Sequence, residues 1–378
     1  MTGMIDQRAA APDQGRAYLH SLTIARGIAA WLVVFYHIRS GMPWIPDGLR
    51  AVFAKGYLAV DFFFLLSGFV IYLSAHRAMT REGAAAIRPF LFRRLARIYP
   101  LYAVLLACTV VFAIMLTLAG RDTSGYPWDE LPLHIVMMQN WGFTEALRWN
   151  HPAWSISTEM AAYLLFPLLM LGTPIARASR TALLAVMAAL LAIMALWLQS
   201  GGLHNLGQYI AQYGLVRCLF EFSAGTCLCA IWLQCGGKRE KLPVALAGLV
   251  FAAAGLVWLA RPGLEVWTFP PMAAALIFLL AELSRRNAGK TGRPRLPVQA
   301  MIYLGEISYA TYLSHFMLFT WYKIVLVQDS AHVLPWKIGV FLLATLLVSM
   351  ALYHLVEKPG RQLFARAQGR TDARAVPA

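Results

Sequence analysis

Apolar residues come along this chain in runs near twenty, separated by short polar segments rich in Lys and Arg. A helix of about 20 apolar residues matches the hydrocarbon core of a bilayer. Ten such runs are legible, at roughly 22–40, 56–75, 98–119, 153–172, 181–199, 211–235, 242–260, 266–283, 301–326 and 336–357. The pattern predicts an all-α, polytopic transmembrane helical bundle of about ten spans. A shorter apolar piece, Leu131–Met138, cannot cross and is re-entrant or interfacial. The polar first twenty residues form no secretory signal, because the run after them carries Arg26 and His37 and no small-residue cleavage site follows.

Composition narrows this further. The chain is 59% hydrophobic and 13% charged, against about a quarter charged in soluble domains. An ordinary soluble enzyme, a disordered chain and a collagen-like chain are thereby excluded. The net charge of +15 invites a nucleic-acid reading, but its placement does not. Arg8, Arg16, the 76–97 segment, Arg177 and Arg180, the 238–241 segment, the 284–297 stretch and the tail from Lys358 onward hold 23 of the 33 basic residues, all in alternate loops. Basic loops stay in the cytoplasm. Both termini are therefore expected there, as an even number of spans requires, in a bacterial inner membrane. The expected organisation is a cytoplasmic segment 1–20, a membrane domain 21–360 and a basic tail 361–378. The five Cys lie mostly in apolar runs without metal spacing and read as small core hydrophobes; no metal is expected.

An ionisable side chain at membrane depth costs kilocalories unless it has a partner or a task. Arg26 and His37 share the first span. Eleven helical steps bring them to one face, about 16 Å apart along the axis. Arg26 either snorkels or meets a ligand; His37 either bonds a neighbouring helix or does chemistry. Arg94 and Arg97, at i,i+3, share a face at the cytoplasmic end of the third span. Two guanidiniums there suit a phosphate-rich ligand, and they also suit plain orientation charge. Glu159 lies one turn into the fourth span with Ser155, Ser157 and Tyr163. Asp61 is followed by Ser67 and Gly68, Arg217 and Glu221 form an i,i+4 pair, and Ser308, Tyr309, Tyr312 and His315 recur at helical spacing after Glu306. So many polar groups inside spans point to a cavity reached by water or ligand.

Six pieces then occur in order: Ser21 to Ala30 leading to Tyr36-His37, Val60-Asp61-Phe62-Phe63-Phe64 to Phe69, Arg94-Leu95-Ala96-Arg97-Ile98-Tyr99-Pro100, Trp154-Ser155-Ile156-Ser157-Thr158-Glu159, Gly305 to His315, and Glu357-Lys358-Pro359. With them the chain, from about residue 21 to 360, resembles the acyltransferase-3 family of integral-membrane O-acyltransferases. The resemblance implies an R-x10-H motif with an essential His, here Arg26 and His37, and an R-x-x-R motif associated with the acyl-CoA donor, here Arg94 and Arg97. Many members carry a second acid after the W-S-x-S-x-E core; this chain has Met160. The resemblance also implies that any acceptor-handling domain is a separate protein.

The expected function is transfer of an acyl group, most simply acetyl, from cytoplasmic acyl-CoA to a hydroxyl of a sugar, polysaccharide or related acceptor. His37 would be general base or acyl carrier and Glu159 its catalytic partner in one shared cavity. Arg26, Arg94 and Arg97 would bind the donor. Asp61, Ser67, Ser155, Ser157, Tyr163, Ser308, Tyr309, Tyr312 and His315 would line the cavity or bind the acceptor. Acyl-CoA is the expected co-substrate, with no bound cofactor. The competing readings are a lipid-linked glycan flippase or small-molecule transporter without acyl chemistry, and an enzyme moving succinyl or a longer chain.

Overall fold

A computed structural model describes residues 19–236, 240–287, 294–327 and 333–364. The segment 1–18, the tail after 364 and the basic positions Lys238, Arg239, Lys290 and Arg293 lie outside the described residues. Among the described residues there is no strand, and eight helical stretches are long and apolar enough to cross a membrane.

The helices are α1 (His20–Ile38), α2 (Asp47–Ala54), α3 (Ala59–Glu82), α4 (Ile87–Leu118), α5 (Leu131–Ile135), α6 (Ala153–Gly172), α7 (Arg180–Ser200), α8 (Ile210–Gln234), α9 (Lys241–Ala260), α10 (Glu265–Asn287), α11 (Leu296–Glu306), α12 (Ser308–Leu326) and α13 (Pro335–Leu352). Each expected span contains a helix, and most boundaries agree within two residues. One of the eight stretches, Asp47–Leu118, holds both α3 and α4.

Three departures shape the site. First, the basic 76–97 segment is not a loop. The chain between α3 and α4 is confined to Gly83–Ala86, so Arg94 and Arg97 sit two to three turns inside a 32-residue helix. Hydrophobic runs mark the bilayer, whereas helices continue past it wherever backbone hydrogen bonding is unopposed. Gly83 supplies the turn, with φ +60°. Second, the expected ninth span is broken at Ile307 into α11 and α12. Third, α13 passes into a π-helical turn, Tyr353–Glu357.

Core packing centres on α8, two thirds of which is buried, against α3, α6 and α7. Small residues let these backbones approach, as is usual between membrane helices. A Cβ at Gly225 would lie 2.0 Å from the Leu65 carbonyl oxygen of α3. The short α5 folds back against α4, where the Tyr102 hydroxyl donates to the His134 carbonyl at 2.7 Å. Tyr102 is sixteen residues, about 24 Å, before the C-terminal end of α4, so Leu131–Met138 packs well inside the length of that helix. Cys218, Cys227, Cys229 and Cys235 are buried free thiols packed as hydrophobes.

Candidate active site

The site is assembled where α1 meets the break between α11 and α12. At that break the Gly305 carbonyl loses its place in a continuous helical ladder. Arg26 and Ser308 supply donors in its place: Arg26 Nε and Nη2 reach the Gly305 oxygen at 3.1 and 2.6 Å, Ser308 Oγ donates to it at 2.7 Å, and Arg26 Nε also donates to Ser308 Oγ at 2.9 Å. Contact this close requires glycine, since a Cβ at Gly305 would stand 2.0 Å from the Thr23 carbonyl oxygen. Arg26 thus neither snorkels to the surface nor is wholly free for a ligand.

Beside it lies a cavity of about 140 Å³ among α1, α3, α4, α6, α12 and the turn after α13. Its walls include Arg26, Arg94 and Arg97 with Ser67, Ser155, Glu159 and Tyr163, and, from α12, Ser308, Tyr309 and Tyr312. Ten of the fourteen expected residues thus meet in one space although they come from five helices. Glu159 is fixed there by two hydroxyls, Ser67 Oγ and Tyr163 OH, each donating to Oε1 at 2.6 Å. Tyr309 donates to the Ile98 carbonyl at 2.8 Å, tying α12 to α4. Ser155 Oγ and the Tyr312 hydroxyl share a 2.8 Å hydrogen bond that closes one side of the cavity.

Arg94 and Arg97 make no hydrogen bond or ion pair among the described residues, and Arg94 Nε is buried without a partner. Of the three carboxylates in the same walls, Glu159 is engaged with its hydroxyls and Glu357 with Arg361, and Glu306 makes no ion pair with either arginine among the described residues. Two guanidiniums are therefore left facing a cavity without a counter-ion in contact, an arrangement that favours an anionic ligand.

His37 is outside these walls. Its Nδ1 lies 2.9 Å from the Val33 carbonyl and 3.1 Å from His315 Nε2, while His315 Nδ1 lies 3.1 Å from the Thr311 carbonyl. Phe316 meets the His37 ring edge-on at 5.2 Å and stacks on His151. The expected His37–Glu159 cavity is thus corrected. Glu159 belongs with the arginines, and His37 belongs with His315, one turn beyond Tyr312. Equal depth on two helices does not decide which face each turns to its neighbour.

Four further expectations change. Asp61 is fully buried and does not line the cavity; it accepts from Arg217 Nε at 3.0 Å and Nη2 at 2.6 Å, joining α3 to α8. Arg217 therefore pairs across helices rather than along its own with Glu221, whose carboxylate oxygens have no hydrogen-bond donor among the described residues. Ser157 is buried away from the cavity and accepts the Asn140 amide, anchoring the segment that follows α5. His315, expected to meet acceptor, meets His37. Sequence reasoning gave no role to Glu306 and Glu357, which also line the cavity, or to Arg361, held by Glu357. The Glu357-Lys358-Pro359 piece was the available signal.

Residues 19–354 match the family model described as an acyltransferase domain. Among curated proteins, the chain is 29% identical to "Acyltransferase MdmB" of Streptomyces mycarofaciens, over 92% of this chain and 93% of that one. It is 27% identical to "Putative membrane-bound transacylase BcsY" of Komagataeibacter xylinus, over 90% and 83%. It is 23% identical to "Putative peptidoglycan O-acetyltransferase YrhL" of Bacillus subtilis, over 92% of this chain and 56% of that protein. No solved structure matches. A helical membrane bundle, the ordered motifs and a family match across nearly the whole chain agree: the protein belongs to the acyltransferase-3 family of integral-membrane acyltransferases.

Proposed function

We propose that this enzyme moves an acetyl group from cytoplasmic acyl-CoA to a hydroxyl of a sugar, polysaccharide or related acceptor, with His37 as general base. Membership of an acyltransferase family leaves the transport alternative without support. The observation that carries the donor reading is the pair Arg94 and Arg97, two cavity-facing guanidiniums without an anionic partner among the described residues. A coenzyme A thioester is a polyphosphate with a long neutral arm. Its phosphates would meet Arg94 and Arg97, and the arm would extend past Tyr312 towards His37. The loop charges orient the arginines to the cytoplasm, where that donor is made, with about ten spans in a bacterial inner membrane and both termini inside. The relative named as a putative peptidoglycan O-acetyltransferase supports a carbohydrate acceptor.

In the reaction, the acceptor O–H bond breaks as its proton passes to His37, and the oxygen attacks the thioester carbonyl. The tetrahedral intermediate collapses by breaking the C–S bond, and the thiolate leaving group takes the proton back. The enzyme ends neutral and unchanged, and the products are an ester and free CoA. The test is CoA release from acetyl-CoA by purified protein in detergent. His37→Ala should lower it by roughly 100-fold or more while the protein still folds, because a general base contributes about 10²–10⁴-fold. A His37→Ala protein retaining more than a tenth of wild-type activity would refute the assignment.

A further inference from the structure

His315 is fully buried on α12, and the mechanism above gives it no task. The hydrogen positions at the two histidines follow from their partners. A carbonyl oxygen only accepts, so His315 Nδ1, 3.1 Å from the Thr311 carbonyl, carries a proton. The neutral ring then presents a lone pair at Nε2. His37 Nδ1 faces that lone pair at 3.1 Å and the Val33 carbonyl at 2.9 Å, so it too carries a proton. The opposite assignment would set lone pairs against both carbonyls. His37 Nε2 is left as the basic nitrogen, the atom a general base must offer.

We infer that His315 is a positioning residue of His37: together with the Val33 carbonyl it accepts the Nδ1 hydrogen bond that fixes the ring, and it shares the charge His37 acquires when Nε2 takes the acceptor proton. This rests on the general-base reading of His37. As Nε2 gains a proton, the Nδ1–H bond to His315 strengthens, and the positive charge spreads over two imidazoles rather than one. The arrangement does with a neutral ring what a carboxylate does behind the histidine of a catalytic triad. The other ionisable groups facing His37 are His151, stacked across Phe316, and Arg39. Both are basic, and neither supplies an acceptor to Nδ1 in its place.

The test exploits a reversal of rank. At a buried helix contact in a membrane, Leu packs better than Gln, so a merely structural role predicts that His315→Leu is the milder change. Positioning predicts the opposite, because Gln keeps an acceptor oxygen. In acetyl-CoA hydrolysis, His315→Leu should lower kcat by roughly tenfold or more with KM for acetyl-CoA unchanged, and His315→Gln should recover part of it. An independent readout needs no acyl donor: carbethoxylation of His37 by diethyl pyrocarbonate at pH 7.5, followed by peptide mass spectrometry. Its rate should fall at least threefold in His315→Leu and recover in His315→Gln. Unchanged His37 reactivity in His315→Leu, or Leu outperforming Gln, overturns the inference. Activity surviving in His37→Ala would instead overturn the base assignment, whatever the His315 variants do.

Discussion

Arg26 donates two hydrogen bonds to the carbonyl of Gly305, across 279 residues of chain, at the point where α11 gives way to α12. An arginine one third of the way along the first span therefore satisfies the backbone of a broken helix far away in the sequence. Backbone breaks at membrane depth persist only where a neighbour supplies the lost partner. The break in turn aims Ser308, Tyr309 and Tyr312 into the cavity.

Arg26→Ala should therefore destabilise as well as inactivate. Hydrogen bonds to charged groups contribute about 1.5–3 kcal/mol each, and their loss leaves the Gly305 carbonyl with the Ser308 hydroxyl alone. A lowered unfolding temperature in detergent is expected, with Arg26→Lys intermediate, since one ammonium cannot reproduce the forked contact. Thermal stability equal to wild type in Arg26→Ala would show that water or another side chain takes over at Gly305.

Arg94 and Arg97 should behave in the opposite way. Among the described residues neither is engaged with a protein acceptor, so truncation removes no hydrogen bond or ion pair seen there. Arg94→Ala and Arg97→Ala should keep the wild-type unfolding temperature and raise KM for acetyl-CoA by roughly tenfold each, with Lys recovering part of the loss. Acetyl-dephospho-CoA, one phosphate poorer, should be less sensitive to at least one of the two changes. Unchanged KM in both Ala variants would return these residues to orientation charge.

The contrast between these arginines marks what the sequence could reveal. The run lengths gave nearly every helix, because burial in hydrocarbon demands one physical thing of a segment: enough apolar length. The cavity residues were legible for the complementary reason, that polar side chains are costly inside a span and so mark themselves. What was not legible was pairing. Asp61, Glu159 and His37 each carry the same signal of a polar group at depth, yet one is tied to Arg217, one to Ser67 and Tyr163, and one to His315. Helix rotation and neighbour choice decide between these, and they are set by close contacts such as those at Gly305 and Gly225. The break at Ile307 was hidden too, since neither glycine nor proline stands at the break itself, only Gly305 two residues before it.

Topology is open to direct measurement. In a protein cleared of its five native Cys, a cysteine at position 125, in the segment between α4 and α5, should react with a membrane-impermeant maleimide from outside. One at position 85, in the tight turn between α3 and α4, should react only after permeabilisation. The bias of basic residues sets this expectation. Positions 239 and 290 should behave like 85. Labelling of 290 from outside would invert α11 and α12 and place Arg26 and Gly305 on opposite sides of the membrane, which their hydrogen bonds forbid.

Asp61 and Arg217 supply the last prediction, which separates a structural ion pair from an acceptor-binding carboxylate. Both side chains are essentially inaccessible, at 0% and 1% exposure. Removing one partner of such a pair strands the other charge in a low-dielectric core, at a cost of about 3–5 kcal/mol. Replacing both by apolar residues of similar size is often neutral. Asp61→Leu and Arg217→Met should each lower the yield of folded protein sharply, and the double variant should restore much of it. If Asp61 instead bound acceptor, the single variants would fold and the double would gain nothing over Asp61→Leu. Glu221 sharpens the experiment. Among the described residues its carboxylate has no hydrogen-bond donor, and it lies beside the same pair. With Arg217 gone, Asp61 and Glu221 face one another without a cation, so Arg217→Met should be the worse of the two single changes. Adding Glu221→Gln to Arg217→Met should recover part of the loss. A double variant as poorly folded as Arg217→Met alone would mean that the pair does more than join α3 to α8.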